Sequence, residues 1–244
     1  MPIYVGSQKI KDIYYGGVKI GKIYRGNTLV YTSLAFPIDT IVYESSTAVA
    51  TAITLEEGIY EVYCIAGGSG GAAVGGTSTA RAVAVGGASG SGFIGKVRIN
   101  KGAYQIAVGA GGAGSSGAYR YTATSVKGGN SYIGKRVVTR AGEPSLEKLV
   151  EAYGGESSTT NGNDIAVAGN GGAVPSVNTS IIISQTLNKA GNQGNIVRYW
   201  ATSTAGASVY GSYGAGGAST AYNGGGTHVD GSSGYIKIVY KGRS

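Results

Sequence analysis

Along residues 3–32 apolar and polar positions recur with a period of ten. The units "IYVGSQKIKD", "IYYGGVKIGK" and "IYRGNTLVYT" each open on Ile-Tyr-x-Gly and return to an aliphatic at the eighth place: Ile10, Ile20 and Val30. Gly6-Ser7, Gly16-Gly17 and Gly26-Asn27 are tight-turn residues between β-prone runs, so the repeat predicts a small up-and-down β-meander with one turn per unit. A module of about thirty residues buries too little apolar surface to stand alone, and it is expected to pack on the rest of the chain, on copies of itself or on a docking partner. Pro37 in "SLAFPIDT" breaks the period and divides the chain into an attachment module over 1–33, a linker over 34–40 and a main domain over 41–244.

In the main domain "TIVYES", "TAVATAITL", "IYEVYCIAGG", "GFIGKVRIN", "GAYQIAVGAGG", "NSYIGKRVVT" and "GYIKIVY" read as strands, spaced as in a sandwich or jelly roll rather than in a βαβ array. One segment reads differently. In "EPSLEKLVEAYGG" Pro144 suits a first turn, Leu146, Leu149, Val150 and Tyr153 follow a 3.6-residue period, and Gly154 is a natural stop, which together predict a short helix. The expected class is mainly β: the N-terminal meander plus a glycine-rich sandwich or jelly-roll-like domain with one short helix.

Composition changes this picture abruptly at residue 67, since six glycines precede it and the other forty follow. Glycine costs roughly 0.5 to 1 kcal/mol relative to alanine in regular structure, so this many need a compensating geometry. Positive φ angles in turns account for a share. Close main-chain approach accounts for the rest: without Cβ atoms, runs such as "AGGSGGAAVGG", "VGGASGSG", "GAGGAGSSG", "AGNGGA", "YGAGGAS" and "NGGG" can lie side by side as polyglycine-II-type segments exchanging backbone hydrogen bonds. The glycines follow no strict third-residue period and prolines number four, which excludes collagen, and the charged fraction of 13% is too low for a solvated disordered chain.

The formal charge of +8 predicts attraction to polyanions, and residues 1–33 carry Lys9, Lys11, Lys19, Lys22 and Arg25 against Asp12. Cys64 is the sole cysteine and reads as a buried strand position rather than a reactive thiol. The opening "MPIYVGSQKIKD" lacks an apolar h-region, so synthesis in a cytoplasm without a secretory signal is expected. Uncharged runs such as 199–227 are dominated by Gly, Ser, Thr and Ala, and no membrane insertion is expected.

Two nucleotide-like patterns fail on their chemistry. Gly112, Gly114 and Gly117 spell GxGxxG, yet the following "AYRYTATSV" has no helical period to supply the amides and dipole that hold a pyrophosphate. Gly129, Gly134 and Lys135 resemble a phosphate loop, yet Arg136 stands where a magnesium-binding Ser or Thr is needed; Gly90, Gly95 and Lys96 end in Val97 likewise. His228 is the sole histidine, no calcium-loop pattern surrounds Asp164 or Asp230, Glu143 and Glu147 read as a solvated helix face, and arginines are scattered rather than in RGG tracts. Neither catalysis nor a cofactor, a metal or nucleic acid is expected.

The order of segments "GIYEVYCIAGGSGGAAVGG", "SGSGFIGKVRINKGAYQIAVGAGGAG", "GGNSYIGKRVVTRAGE" and "YGAGG…DGSSGYIKIVYKG" resembles the glycine-rich domain of bacteriophage and prophage tail fibres and receptor-binding proteins. The ten-residue repeat resembles the short module that often precedes it. The resemblance implies a virion tail-tip adhesin that binds a host cell-surface polysaccharide or outer-surface protein without modifying it, commonly as a homotrimer, and that docks on a tail or baseplate protein through residues 1–33. The chain departs from the pattern at 143–164 and at the glycine-poor stretch 174–205. Alternatives are a purely structural tail component and, with less support, a surface-polysaccharide depolymerase. For an adhesin the candidate contacts are aromatic rings with basic neighbours in loops: Arg198, Tyr199 and Trp200; Tyr210, Tyr213 and Tyr222; and Tyr119, Arg120 and Tyr121. The competing reading packs these rings against glycine faces as a substitute core.

Overall fold

The computed structural model describes residues 36–77, 82–118, 121–139, 142–161, 165–198, 202–222 and 224–243, and the backbone of six short strands between Tyr4 and Thr32. Each ten-residue unit forms one hairpin: β1 (Tyr4–Val5) with β2 (Gln8–Lys9), β3 (Tyr14–Tyr15) with β4 (Val18–Lys19), and β5 (Lys22–Arg25) with β6 (Thr28–Thr32). The recorded pairing runs within each unit, which is the expected turn per repeat.

From the linker the chain runs up and down through three layers. β7 (Ile41–Ser45) rises and β8 (Ala50–Leu55) descends. β9 (Gly58–Ile65) rises through run 66–71 into β10 (Ala72–Val74), and the return is β11 (Val83–Val85), run 86–91 and β12 (Gly92–Ile99). β13 (Gly102–Ala107), run 108–114 and β14 (Ser115–Gly117) rise; β15 (Thr122–Thr124), run 125–130 and β16 (Ser131–Val138) descend. β17 (Pro144–Ala152), run 153–158 and β18 (Thr159–Asn161) rise, and β19 (Ala166–Val167), run 168–175 and β20 (Ser176–Val177) descend. After a 3₁₀ turn at Thr179–Ile181, β21 (Ile182–Lys189), run 190–195 and β22 (Ile196–Arg198) rise, and 202–207 come back. A turn at 208–213 leads up through run 214–218 and β23 (Ser219–Tyr222), and β24 (Gly225–His228), run 229–234 and β25 (Tyr235–Gly242) complete the descent.

The bottom layer is a sandwich of two antiparallel five-stranded sheets, ordered β21-β12-β9-β25-β7 and β20-β17-β16-β13-β8. Alternation along β9, β12 and β13 points Tyr60, Val62, Cys64, Phe93, Val97, Ile99, Tyr104 and Ile106 inward, where they meet Leu55, Ile133, Leu149, Ile236, Ile238 and Tyr240 in one core. Two turns close its floor with the same local device: the Tyr60 hydroxyl donates to Glu56 O at 2.8 Å and the Tyr104 hydroxyl to Asn100 O at 2.7 Å, each four residues upstream in an x-x-Gly-x-Tyr sequence.

The segment expected to be helical is a strand. β17 pairs with β16 from Ser131↔Ala152 to Val138↔Pro144, with a register shift between Ile133 and Gly134. Long-range pairing overrides the local 3.6-residue pattern: Leu149 and Val150 enter the core, and Leu146 lies over Gly134, where a Cβ would meet its Cδ1 at 2.8 Å. Glu143 and Glu147 accordingly stand beside and on a strand, and the 3₁₀ turn is the sole helical element among the described residues.

The middle layer has no side-chain core. In run 66–71 the N–H groups of Gly67 and Gly70 go to run 125–130, at Gly129 O (2.9 Å) and Val126 O (3.3 Å). Those of Gly68 and Gly71 go to run 229–234, at Ser232 O and Val229 O, and that of Ser69 to Ala88 O. This three-residue recurrence is the period of a polyproline-II-type helix. Carbonyls of the same run accept from Gly155, Gly112, Ser115 and Gly217, so six neighbouring runs surround it. Run 86–91 is a second centre: Gly86 and Ser89 bond to run 190–195, Gly87 and Gly90 to run 214–218, and Ser91 to Tyr153, while Gly172 and Gly206 donate to its carbonyls. Two centres sharing the runs at 153–158 and 214–218 form a hexagonal bundle.

Glycine is required here by distance. A Cβ at Gly67, Gly68, Gly111 or Gly154 would fall 2.0, 2.0, 1.8 and 1.9 Å from a carbonyl oxygen of a neighbouring run. Positive φ explains few positions: among the described glycines it occurs at Gly142, Gly211, Gly214, Gly224 and Gly242. Above the bundle, a four-stranded sheet ordered β14-β10-β11-β22, a three-stranded sheet β15-β18-β19 and the hairpin β23-β24 form the top layer around small Ala and Val clusters.

Candidate functional site

Strand direction places one set of connections together. β10 rises and β11 descends, β14 runs parallel to β10, and β22 runs antiparallel to β11, so all rising strands of this sheet end at the top. β18 rises beside descending β15 and β19, and β23 rises beside descending β24. The described strand ends at 74 and 83, 117 and 122, 161 and 166, 198, and 222 and 225 therefore all lie at the same end. The linker enters at the opposite end, where Asp39 N donates to Tyr240 O at 2.8 Å and Phe36 packs edge-on against Tyr240 at 5.6 Å.

The candidate contact residues divide between these levels. Tyr121, 68% exposed, closes the 118–121 connection, and its N–H donates to Ala118 O at 3.1 Å. Tyr222, 47% exposed, ends β23, and Arg198 ends β22. Tyr119, Arg120, Tyr199 and Trp200 lie outside the described residues. Exposed Ile165, at the start of the descent into β19, and the hydroxyl pair Thr202–Thr220 (3.0 Å) stand near this end, whereas exposed Val167 and Ile196 and the hydroxyl pair Thr124–Thr159 (3.2 Å) lie at the lower ends of their strands.

Tyr210 and Tyr213 are elsewhere. The 208–213 turn sits at the upper rim of the sandwich, where Tyr213 stacks on Tyr235 with centroids 4.3 Å apart and planes 9° apart, and Tyr210 packs 5.6 Å from Tyr63. Ser208 Oγ accepts Tyr210 N at 3.0 Å and bonds the Tyr213 carbonyl, closing the turn. Burial and the 2.5 Å hydrogen bond to Glu44 push the Tyr235 hydroxyl well above its usual range. These rings clamp a returning segment to the sandwich through contacts with Tyr63 and Tyr235 rather than with glycine faces.

The nucleotide-like glycines serve the bundle. A Cβ at Gly112 would meet Val126 O at 2.0 Å and one at Gly114 would meet the His228 ring at 2.4 Å, while Gly117 lies in β14 and Gly134 and Lys135 in β16. Among the described residues β15 follows the first motif and β16 contains the end of the second, where a phosphate site of either kind opens on a helix. Asp230 caps the crossing instead, its Oδ1 accepting Gly114 N at 2.7 Å.

A glycine-rich domain family model matches residues 45–243, from the end of β7 to the end of β25. The chain belongs to this glycine-rich domain family. A search of curated proteins finds no match. As in its name, the glycine-rich domain is built on absent side chains, but a second residue type supports it that the sequence reading passed over. Buried serines replace main-chain partners within the runs and at their ends: Ser69 Oγ accepts Ala88 N (2.8 Å), Ser89 Oγ accepts Asn192 N (2.7 Å), Ser91 Oγ accepts Tyr153 N (2.8 Å), and Ser131 Oγ accepts Gly109 N (2.9 Å) while donating to Ile65 O (2.7 Å). At the top of the bundle Ser219 Oγ lies 2.9 Å from both Ala72 O and Val85 O. The signal in the sequence is serine among glycines, as in "GGSGG", "GASGSG" and "GNSY".

Proposed function

We propose that this glycine-rich domain is the receptor-binding tip of a bacteriophage or prophage tail fibre, an adhesin that recognises a host cell-surface glycan or protein without making or breaking a bond. The observation that carries the reading is polarity: the linker from the basic N-terminal hairpins enters one end, and the strand ends that flank Ala-Tyr-Arg-Tyr at 118–121 and Tyr-Trp-Ala at 199–201 lie at the other, across a bundle tied by backbone hydrogen bonds. A stiff spacer of this kind holds the turns apart from the attachment point, and rings on short turns offer contact area at low rotamer entropy. In this reading residues 1–33 dock on a tail or baseplate protein, three copies assemble side by side, and the protein acts at the distal end of a virion.

The test is competition. Purified protein, folded by circular dichroism, is added to host cells before the parent phage. The expected result is saturable binding to the cells and blocked adsorption, lost when 118–121 and 199–201 are replaced by Gly-Ser connections of equal length that leave the melting temperature unchanged. Folded protein that neither binds cells nor blocks adsorption overturns the reading in favour of a structural tail component, and release of sugar from purified envelope overturns its non-catalytic part.

A further inference from the structure

At the floor of the sandwich, away from the top turns, a cavity of about 150 Å³ is lined by Arg98, Asn100, Tyr104, Lys135, Glu147, Leu149, Asn178, Ser180 and Ile181. Its charges differ in placement: Lys135, half-buried, and Glu147, exposed, stand on the inner face of the lower sheet, and exposed Arg98 stands on the outer face of β12, between buried Val97 and Ile99. Lys135 is the cross-strand partner of buried Tyr104 on one side and of Glu147 on the other, so the row Tyr104-Lys135-Glu147 runs along the inner face of the lower sheet. Arg98 and Asn100 come from the lower end of β12, beyond Val97, where the pairing with β21 stops at Ile182. Among the described residues neither Arg98, Lys135 nor Glu147 makes an ion pair, although Lys101, Lys127, Lys148, Lys237 and Lys241 all do. Asn178 Oδ1 is engaged by Ser180 N at 3.1 Å and by its hydroxyl at 2.7 Å, which fixes the 3₁₀ turn as the side wall. Two cations and a carboxylate thus line one cavity beside the buried core residue Tyr104, without an ion pair to one another or to other described residues, so their charges are available to a ligand.

We infer that this mouth of the sandwich is a binding site for a monosaccharide-sized sugar acid, its carboxylate held between Arg98 and Lys135. Two cations against one carboxylate leave the site net positive and select an anion, whereas a zwitterion would meet an excess of positive charge. Glu147 Oε atoms, the Asn100 amide and the Ser180 hydroxyl offer acceptors and donors for ring hydroxyls, and Tyr104, Leu149 and Ile181 supply an apolar wall for the carbon face of the ring. At about 30 Å³ per water the cavity holds on the order of five waters, the space of one small molecule rather than of a polymer chain. The inference is independent of the adhesin reading, because the cavity lies at the end opposite the top turns.

The test is an amide chemical-shift titration of the full chain with D-glucuronate at constant ionic strength, compared with glucose, acetate and alanine. The expected result is saturable shifts at 98–104, 135, 147–149 and 178–181 with glucuronate, absent with glucose, and unchanged signals at the top turns. Arg98→Gln and Lys135→Gln should each weaken binding by about tenfold or more, as loss of a charge-assisted hydrogen bond does, with the melting temperature retained. Glu147→Gln should weaken glucuronate while leaving acetate unaffected. A uronate-ended oligosaccharide that binds as tightly as the monomer identifies an acidic polysaccharide end as the source; binding of the monomer alone identifies the free sugar acid. No saturable shift, equal binding by acetate or alanine, or binding that survives the Arg98→Gln/Lys135→Gln double variant overturns the inference.

Discussion

Replacing Gly68 with alanine separates the two reasons a chain can carry so much glycine. If glycine served only backbone freedom, alanine at a position without positive φ would restrict the unfolded chain and stabilise by about 0.4 to 1 kcal/mol. The bundle predicts the opposite sign. A Cβ at Gly68 falls 2.0 Å from Ala215 O, 2.4 Å from Ala215 C and 2.7 Å from Gly214 O, where ordinary contact begins at 3.4 Å. Run 214–218 must withdraw by about 1.4 Å, the difference of those distances. That run is fixed by Gly214 N to Ser233 O, Ser232 N to Ala215 O and Gly217 N to Ser69 O, each 2.8 Å.

A displacement of that size breaks two of these bonds, and each buried group left without a partner costs about 1 to 3 kcal/mol. The net loss is about 1 to 5 kcal/mol once the unfolded-state gain is set against it, a sizeable part of the roughly 5 to 15 kcal/mol that holds a domain together. At about 2 to 4 °C per kcal/mol for a chain of this size, the melting temperature falls by roughly 2 to 20 °C. The control is Gly102→Ala at the start of β13, where a Cβ meets only the flexible Lys135 Cε at 3.3 Å and Tyr104 at 3.7 Å; its stability should stay within about 0.5 kcal/mol of the parent. Both are read by urea denaturation with circular dichroism. A Gly68→Ala protein as stable as the parent, or more so, refutes the close-approach account of the bundle.

Ser69→Ala should cost about 1 to 3 kcal/mol in the same assay by leaving Ala88 N unpartnered, while Ser116→Ala on the exposed face of β14 stays near zero. Burial pushes the Tyr60 and Tyr104 hydroxyls from 10.0 up to about 12, with neighbouring acidic groups adding to the effect. Each hydroxyl stays protonated longer folded than unfolded, so thermal melts should show stability that is full below pH 10 and lost between pH 10 and about 12. Burial likewise raises the Cys64 thiol to about 12, and a disulfide-exchange reagent at pH 8 should label it only in denaturant. Tyr213→Ala should lower the melting temperature by removing the ring stacked 4.3 Å from Tyr235, while Tyr121→Ala and Tyr222→Ala leave it unchanged and reduce cell binding.

The strands of the sandwich were legible because their faces differ: β9, β12 and β25 alternate toward one core, and period-two alternation survives in any register. β17 was misread because its outer positions are long and charged while Leu146, Leu149 and Val150 also fit one face of a helix. What decides between the two is pairing with β16, from Val138↔Pro144 to Ser131↔Ala152, which a local pattern does not show. The purpose of the glycines was legible from their excess, but which runs are central was not, since a hexagonal bundle is fixed by pairings such as Gly68 with Ser232 that span most of the chain. Tyr210 and Tyr213 look like Tyr222 in sequence, each beside glycines; only the position of the 208–213 turn on the sandwich rim, rather than at the top, separates clamping rings from exposed ones. The x-x-Gly-x-Tyr repeat at Glu56–Tyr60 and Asn100–Tyr104 was present to be read, as two hairpins closed by one device.

A bundle without side chains has a consequence for how the molecule can vary. In a packed core the register of neighbouring elements depends on the shapes of residues, and a substitution at one end is felt through the interior. Here the rising and descending segments are aligned by main-chain hydrogen bonds at 120° intervals, as run 66–71 shows, so the residues above the bundle contribute little to its alignment. The top strands that flank the turns are two to four residues long and packed around Ala72, Ala73, Val74, Ala84 and Ala221, small groups that set no demanding shape. Lengthening a turn then costs mainly loop-closure entropy, about 0.6 kcal/mol for each doubling. The cost of glycine in the middle layer and the freedom of sequence at the top follow from the same fact: alignment carried by the backbone leaves the side chains of the turns unconstrained.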